Sequence, residues 1–470
     1  MKYRYVMNLF TFYDRSGIEN YLEEQAKKGL IFEKAGSVFW QFSKTEPADL
    51  RFAVTYFPSA SAYDPSPSEN QLRFREFCEH TGWRHIADCA QMQIYCNDTE
   101  NPIPIETDAL IECENIHRSA KKSYLSGYIA VLVIGIMILL MQIFNFSRSP
   151  VEHLSSPVSL SMVLLGLNEA AMGGGELLMY FKWYRKAKKA AEENGAFTET
   201  SDWRIGRTLL CLLALIILTV MFASLIDGKA GYSFRVGRVL AILIASLALV
   251  FGAAFTASSV MKKMKISAKT NRIITVLIAV VLSQLTIAGN TSFILKDILH
   301  GNFIRSTAET YEYNGNTFYL YHDELPLYIE NLTDTDYDGY STKTEVRSSP
   351  LVSLTEAYQR PRPDAKEHPT LEYIIVDVKL PILFDICLRD MLNISGAELY
   401  REYGEAFIAD YTEIDASEWN ADRAYQLKHF ASGMYSHDYI LVYENRIVRF
   451  KPDFHPDSAQ KIRVSEILGK

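Results

Sequence analysis

The sequence predicts an α-helical polytopic membrane protein with five spans, an α+β ferredoxin-like N-terminal domain and a separate α+β C-terminal domain. Three observations carry this. Apolar stretches recur at Tyr124–Phe144, Val158–Phe181, Ile205–Ile226, Val236–Val260 and Ile273–Leu295. Each is roughly 20 residues or more, the length that crosses about 30 Å of hydrocarbon at 1.5 Å per residue. Polar segments of more than a hundred residues flank them, and lysine and arginine gather in alternate loops. The expected domains are therefore 1–116, 117–300 and 301–470.

The basic loops give an orientation. Arg118, Lys121 and Lys122 precede the first stretch, and seven Lys or Arg between Lys182 and Arg207 separate the second and third. Lys262, Lys263, Lys265, Lys269 and Arg272 separate the fourth and fifth, while Arg148 is the only Lys or Arg between the first two. Basic loops stay in the cytosol, so the expected arrangement in the cell membrane has the N-terminus cytosolic and the C-terminus extracytoplasmic. Net charge runs −7 over 1–116, +11 over 117–300 and −12 over 301–470. Two acidic flanks exclude a nucleic-acid binder, which needs a basic face; the lipid bilayer is the expected partner of the basic middle. Met1–Asp14 lacks the apolar core of a cleaved signal peptide. Cys78, Cys89, Cys96 and Cys113 fall in the cytosolic part, Cys211 in a span and Cys387 outside, with no CxxC or zinc spacing.

In the head, Tyr3–Thr11 alternates as a strand does. Ser16 caps a helix with Glu19 at capping-box spacing, Ile18, Leu22 and Ala26 recur at helical spacing, and Gly29 ends it. Phe39–Ser43 and Leu50–Phe57 read as strands, Gln71–His80 as a second helix stopped by Gly82, and Trp83–Asp88 with Gln91–Cys96 as a hairpin. That order suits a small ferredoxin-like sandwich, with Asn97–Asn115 as a tether.

The run from Gly17 to Leu30, Phe39-Trp-Gln-Phe42, Arg51–Tyr56 and Thr81-Gly-Trp83 resemble the head of a Gram-positive bacterial membrane family, filed as a domain of unknown function. In that family a cytosolic head precedes a set of spans, and the gene often neighbours a PadR-type transcriptional regulator. The resemblance implies a regulatory role and lends no catalytic residues.

The polar groups inside the second stretch are Asn168, Glu169 and Glu176, with Gly173–Gly175 between them; Gln284 lies central in the fifth. A charged group at mid-bilayer costs at least ~2.5–3.5 kcal/mol and usually faces a partner or a water-filled cavity. Glu169 is expected to hydrogen-bond Gln284, either as structural glue or as a proton-responsive site. Glu176, seven residues on and on nearly the same face, is expected near the cytosolic surface and within reach of water. The run Lys182–Glu193 continues the helix to Asn194-Gly195.

The C-terminal part holds 16 of the 28 tyrosines. Asn314-Gly315 between alternating aromatics signals a hairpin, and Asp438–Lys451 a second one turning at Glu444-Asn445. Helices are expected at Ile382–Leu392, Glu398–Ile408 and Glu418–Phe430. Asp334, Asp336, Asp338, the carbonyl of Tyr340 and Glu345 fit the twelve-residue calcium loop. Ser341 stands where that loop carries an apolar residue, and no helix follows. A weak extracellular calcium site and a solvated acidic loop both meet the pattern.

No phosphate loop, GxSxG, GxGxxG or paired-histidine metalloprotease motif is present. The expectation is a non-enzymatic sensor or regulator whose head binds a cytosolic protein; the alternative is a transporter, or its accessory subunit, using Glu169 and Gln284.

Overall fold

The computed structural model describes residues 2–8, 10–36, 39–122, 124–199, 204–226, 233–299, 308–393, 400–402, 405–407, 409–429 and 433–470. The chain packs as two compact units. The first comprises Met1–Met137, Leu165–Ile217 and Val239–Leu295; the second comprises Ile138–Leu164, Leu218–Arg238 and Lys296–Lys470.

The first unit begins with β1 (Tyr3–Met7), α1 (Arg15–Lys27), β2 (Leu30–Ala35), β3 (Phe39–Lys44), β4 (Arg51–Tyr56), α2 (Glu69–His80), β5 (Arg84–Cys89) and β6 (Met92–Asn97). The α1 cap is Asp14 rather than Ser16: its Oδ1 accepts the Gly17 N–H at 3.1 Å. Glu19 serves β4 instead of a capping box, accepting the Val54 N–H at 2.8 Å. Ser68 caps α2 with the full reciprocal box to Gln71.

One ferredoxin-like sandwich is not what these elements build. They form two three-stranded antiparallel sheets of identical topology, β1-β3-β2 and β4-β6-β5. Each arises from a strand–helix–strand–strand unit, and the second repeats the first 53 positions on. Gly29 and Gly82 both end their helices at positive φ, +75° and +85°. The bulge between Phe32 and Lys34 recurs between His85 and Ala87, and Phe39–Lys44 recurs as Met92–Asn97. Pairing places Tyr3 opposite Ser43 as Phe52 lies opposite Cys96, so Tyr3, Tyr5 and Met7 correspond to Phe52, Val54 and Tyr56.

The repeats join asymmetrically. Ile18, Leu22 and Ala26 of α1 share one core with Phe32, Trp40 and Phe42 of the first sheet and with Phe52, Val54 and Tyr56 of the second. Glu23 of α1 also reaches the β4 edge, 3.1 Å from the Arg51 guanidinium and 3.4 Å from the Phe52 N–H. The helix thus satisfies edge-strand donors that would otherwise be open.

The segment expected as a tether becomes helical at α3 (Ala109–Lys122), whose Cys113, Ile116 and Ala120 enter the same core. Then follow α4 (Tyr124–Arg148), α5 (Pro150–Ser155), α6 (Pro157–Asn194), α7 (Arg204–Ile226), α8 (Ser233–Lys263) and α9 (Ala268–Leu299). Among the described residues, three helices are long and apolar enough to cross a membrane: Tyr124–Arg148, Ile244–Lys263 and Ala268–Asn290. Ile205–Met221 is a shorter apolar helix. The α6 helix, diluted by Asn168, Glu169, Glu176 and its glycines, runs unbroken to Asn194, and Gly195 at φ +59° follows it.

In the second unit β7 (Glu309–Tyr313) and β8 (Asn316–Leu320) form the hairpin expected at Asn314-Gly315, both residues at positive φ. The remaining elements are β9 (Tyr340–Ser348), β10 (Val352–Pro361), β11 (Leu371–Val378), α10 (Phe384–Leu392), β12 (Tyr400–Glu402), β13 (Glu405–Phe407), β14 (Ala409–Ile414), β15 (Arg423–His429), β16 (Tyr435–Tyr443), β17 (Arg446–Pro452) and α11 (Ser458–Leu468). Seven of the strands make an antiparallel sheet, β14-β15-β16-β17-β11-β10-β9. Both faces are covered, so β11 and β16 read as near-continuous apolar runs. Tyr373, Ile375, Leu441 and Phe450 pack with Trp419, Val464 and Leu468 on one side. Val376, Val378, Ile440 and Ile447 pack with Cys387, Leu388 and the α5 residues Val151 and Leu154 on the other.

The hairpin expected at Glu444-Asn445 and the helix at Ile382–Leu392 are present. The helices expected at Glu398–Ile408 and Glu418–Phe430 are absent among the described residues of those ranges. Strands β12 and β13 lie in the first, and a single 3-10 turn at Ser417–Trp419 followed by β15 in the second. Ladder pairing of Arg423–His429 between β14 and β16 overrides its helical-looking spacing.

Candidate functional site

The buried stripe of α6 runs through Gly173, Glu176, Tyr180, Trp183, Ala187 and Ala191 at three- and four-residue steps. Gly173 lets α4 approach: a Cβ there would sit 2.6 Å from the Leu132 backbone nitrogen. Gly135 of α4 does the same toward α6, where a Cβ would lie 2.5 Å from Ala170 N and 2.9 Å from Gly166 O. Small residues let the two backbones touch.

One turn beyond this contact lies a polar centre. Glu176 is fully buried. Its Oε2 accepts the Tyr124 hydroxyl at 2.6 Å, and its Oε1 lies 3.5 Å from Arg207 Nη1 of α7. That separation is an ion pair without a made hydrogen bond, so Glu176 Oε1 and Arg207 Nη2 keep unused bonding capacity. Tyr128 lies beside the guanidinium.

The head closes the centre from its own side. Tyr13, between β1 and α1, is completely buried, with ring centroids 5.7 Å from Tyr124, 5.2 Å from Tyr180 and 4.9 Å from Trp183. Burial, reinforced by the Glu176 carboxylate, pushes the Tyr13 phenol well above its ordinary range. Phe12 stacks on Tyr124 at 5.9 Å, and its carbonyl accepts the Tyr56 hydroxyl at 2.5 Å. From α3, His117 Nδ1 is 2.9 Å from Tyr180 Oη, and the imidazole stacks on Tyr184 at 4.0 Å. Burial, then Lys121 and Lys188, hold His117 below the usual imidazole pKa, keeping it neutral.

Two further clamps hold the head loop. Lys122 Nζ donates to the carbonyls of Pro58, Ser59 and Ala60 at 3.0, 3.1 and 3.4 Å. Asn271 of α9, wholly buried, donates to Tyr63 O at 3.1 Å and Ser258 O at 3.3 Å. A third link ties α1 to α3: Arg15 Nη1 lies 2.5 Å from Glu112 Oε2 and its Nε 3.9 Å from Glu19. Burial outweighs that attraction, and both carboxyls are pushed up to about 7.

The residues singled out from sequence are thus divided. Glu176 is a structural hub instead of a group within reach of water, because Tyr124 and Arg207 enclose it. Asn168 is buried, and neither amide atom has a hydrogen-bond partner. Glu169 is half-buried, Gln284 is exposed, and no hydrogen bond joins them among the described residues; the buried polar residues described on α9 are Asn271 and Thr275, two to four turns away.

Asp334, Asp336 and Asp338 lie in the loop before β9. Glu345 is inside β9, opposite Glu356 and ion-paired to Lys343. Among the described residues no three His, Cys, Asp or Glu side chains gather as a metal would require. Sequence reasoning missed Tyr13, Tyr124, Arg207 and Asn271. Arg207 and Lys122 carry a signal only as loop charge, and Tyr124 only as the polar start of a span.

Residues 14–128 match the family model described as "Protein of unknown function (DUF2812)". The DUF2812 match takes in the head from the α1 cap onward, α3, and the first turn of α4 with Tyr124 and Tyr128. Neither a curated protein nor a solved structure matches this chain.

Proposed function

We propose that this chain is a non-enzymatic regulatory membrane protein in which α4 and α6 carry a conformational change between a cytosolic head and an extracytoplasmic sheet domain. The single observation that carries this reading is the shared core: Tyr13 of the head packs on α4 and α6 over the buried Glu176–Arg207 pair. A head built this way cannot keep its own packing while those helices shift, because close-packed cores switch between arrangements rather than deform smoothly.

On this reading α6 and α7 join the three long apolar helices to give five crossings. Tyr124 belongs to the core of the first unit and Val151 to that of the second, and the 25-residue apolar helix α4 is the chain between them. The alternating basic loops supply the orientation. The head would then present its surface to a cytosolic protein partner.

Topology is tested with Ser458→Cys, an exposed position at the start of α11; Cys387 is fully buried and cannot serve. Labelling by an impermeant maleimide in intact cells is expected, and labelling only after lysis refutes the arrangement. Coupling is tested by hydrogen exchange on full-length Arg207→Leu. Faster exchange is expected in 10–15 and 58–63, and exchange equal to wild type there refutes transmission through the hub.

A further inference from the structure

The duplicated head leaves one of its two equivalent surfaces uncovered. On β4 and β6, Phe52, Val54, Tyr56 and Met92 are 5, 3, 3 and 4% exposed beneath α1 and its neighbours. Their counterparts on β1 and β3, Tyr3, Tyr5, Met7 and Phe39, are 37, 64, 53 and 52% exposed. Four large side chains in register on one sheet face, beside an open strand edge, form a patch that soluble surfaces rarely present. The helix of the first repeat covers the sheet of the second. The contact is therefore head-to-tail and ends in two unused faces: this sheet, and the outer side of α2.

We propose that the outer side of α2 from a second copy of this chain covers β1, repeating between molecules what α1 does to β4 within one. The 53-position offset turns Glu23 into Glu76 and Glu19 into Leu72, and strand pairing turns Arg51 into Lys2. The ion pair Arg51–Glu23 at 3.1 Å thus has an exposed counterpart in Lys2 and Glu76, one on each unused face. Charge agrees beyond this pair: Lys2 precedes β1 and Arg4 lies in it, while α2 offers Glu76 and Glu79, its Arg73 and Arg75 being paired already with Glu69 and Asp88. Leu72 and Phe77 of α2, 52 and 57% exposed, supply the apolar contact. Head-to-tail faces generate a ring if the rotation closes, and a two-fold ring is a dimer with two such contacts.

The test uses full-length protein in native membranes, with Cys89 and Cys211 replaced by serine. Tyr5→Cys and Leu72→Cys variants carrying different tags are co-expressed and oxidised. A mixed-tag disulfide at dimer mass is expected. Glu76→Lys should abolish it, and Lys2→Glu combined with Glu76→Lys should restore it. That rescue separates a lost contact from a misfolded head. A disulfide between two copies of Tyr5→Cys alone would mean that sheet packs on sheet, and overturns the proposal. So does the absence of any cross-link with the protein monomeric by light scattering in detergent, which leaves the patch to a different protein or to lipid headgroups.

Discussion

Tyr13 gives the sharpest test of the shared core. Its ring is completely enclosed and touches Tyr124, Tyr180 and Trp183 from two helices. Truncating a buried aromatic costs about 3–5 kcal/mol through lost transfer energy and the cavity left behind. Three aromatic pairs, each contributing roughly 0.5–1.5 kcal/mol, place Tyr13→Ala at the upper end of that range. The Tyr13 hydroxyl has no hydrogen-bond partner, so Tyr13→Phe removes an unsatisfied buried polar group and should raise stability, by up to about 1–3 kcal/mol. For a unit of about 250 residues each kcal/mol moves Tm by roughly 2–4 °C. The alanine variant should therefore lose about 10–20 °C while the phenylalanine variant stays at or above wild type. The assay is thermal unfolding of the detergent-solubilised protein, followed by Trp fluorescence and by proteolysis between 97 and 109. Equal Tm values for Tyr13→Ala and Tyr13→Phe would refute the claim that head and helices share one core.

Three further outcomes follow from the same structure. Glu19 and Glu112 sit near 7 when folded against an ordinary value of 4.5, so their contribution is fully present below pH 4.5 and is lost as pH rises through 7. Head unfolding should come at lower temperature at pH 8 than at pH 5, and Glu112→Gln should flatten that slope; an unchanged slope contradicts the assignment. Gly173→Ala would force a Cβ to 2.6 Å from Leu132 N, whereas at Gly174 the nearest atom is the flexible Leu132 Cδ1 at 3.8 Å. The first should cost about 1–3 kcal/mol and the second close to nothing, read as thermostability in detergent. With Glu345 held in β9 by Lys343, millimolar calcium or a chelator should leave Tm unmoved; a calcium-dependent rise would restore the loop as a site.

Much of this was legible without coordinates. Hydropathy placed the apolar helices, since length and composition are local properties that a bilayer reads directly. The turns at Gly29, Gly82, Asn314-Gly315 and Gly195 were legible because positive φ selects residue type at one position. The twofold repeat in the head was not. Its common features are backbone features, a bulge and a strand register, and the side chains on them have diverged: Trp40 corresponds to Gln93 and Phe32 to His85. The strands at 400–402, 405–407 and 423–429 read as helices in the sequence because their spacing is weak, and pairing between strands decides such segments.

The site divides along the same line. The sequence by itself determined that Asn168, Glu169 and Glu176 are polar groups in an apolar helix, each needing a partner or water, because an isolated charge cannot stay in a low-dielectric interior. Only the tertiary structure decided that Tyr124 and Arg207 enclose Glu176 and that Glu169 makes no hydrogen bond to Gln284. It also made Tyr13, 163 positions away, part of the same enclosure, and left Tyr3, Tyr5 and Met7 in the open. Partner choice depends on which helix faces meet, and that follows from glycine contacts and aromatic packing between segments far apart in sequence, which no local pattern encodes.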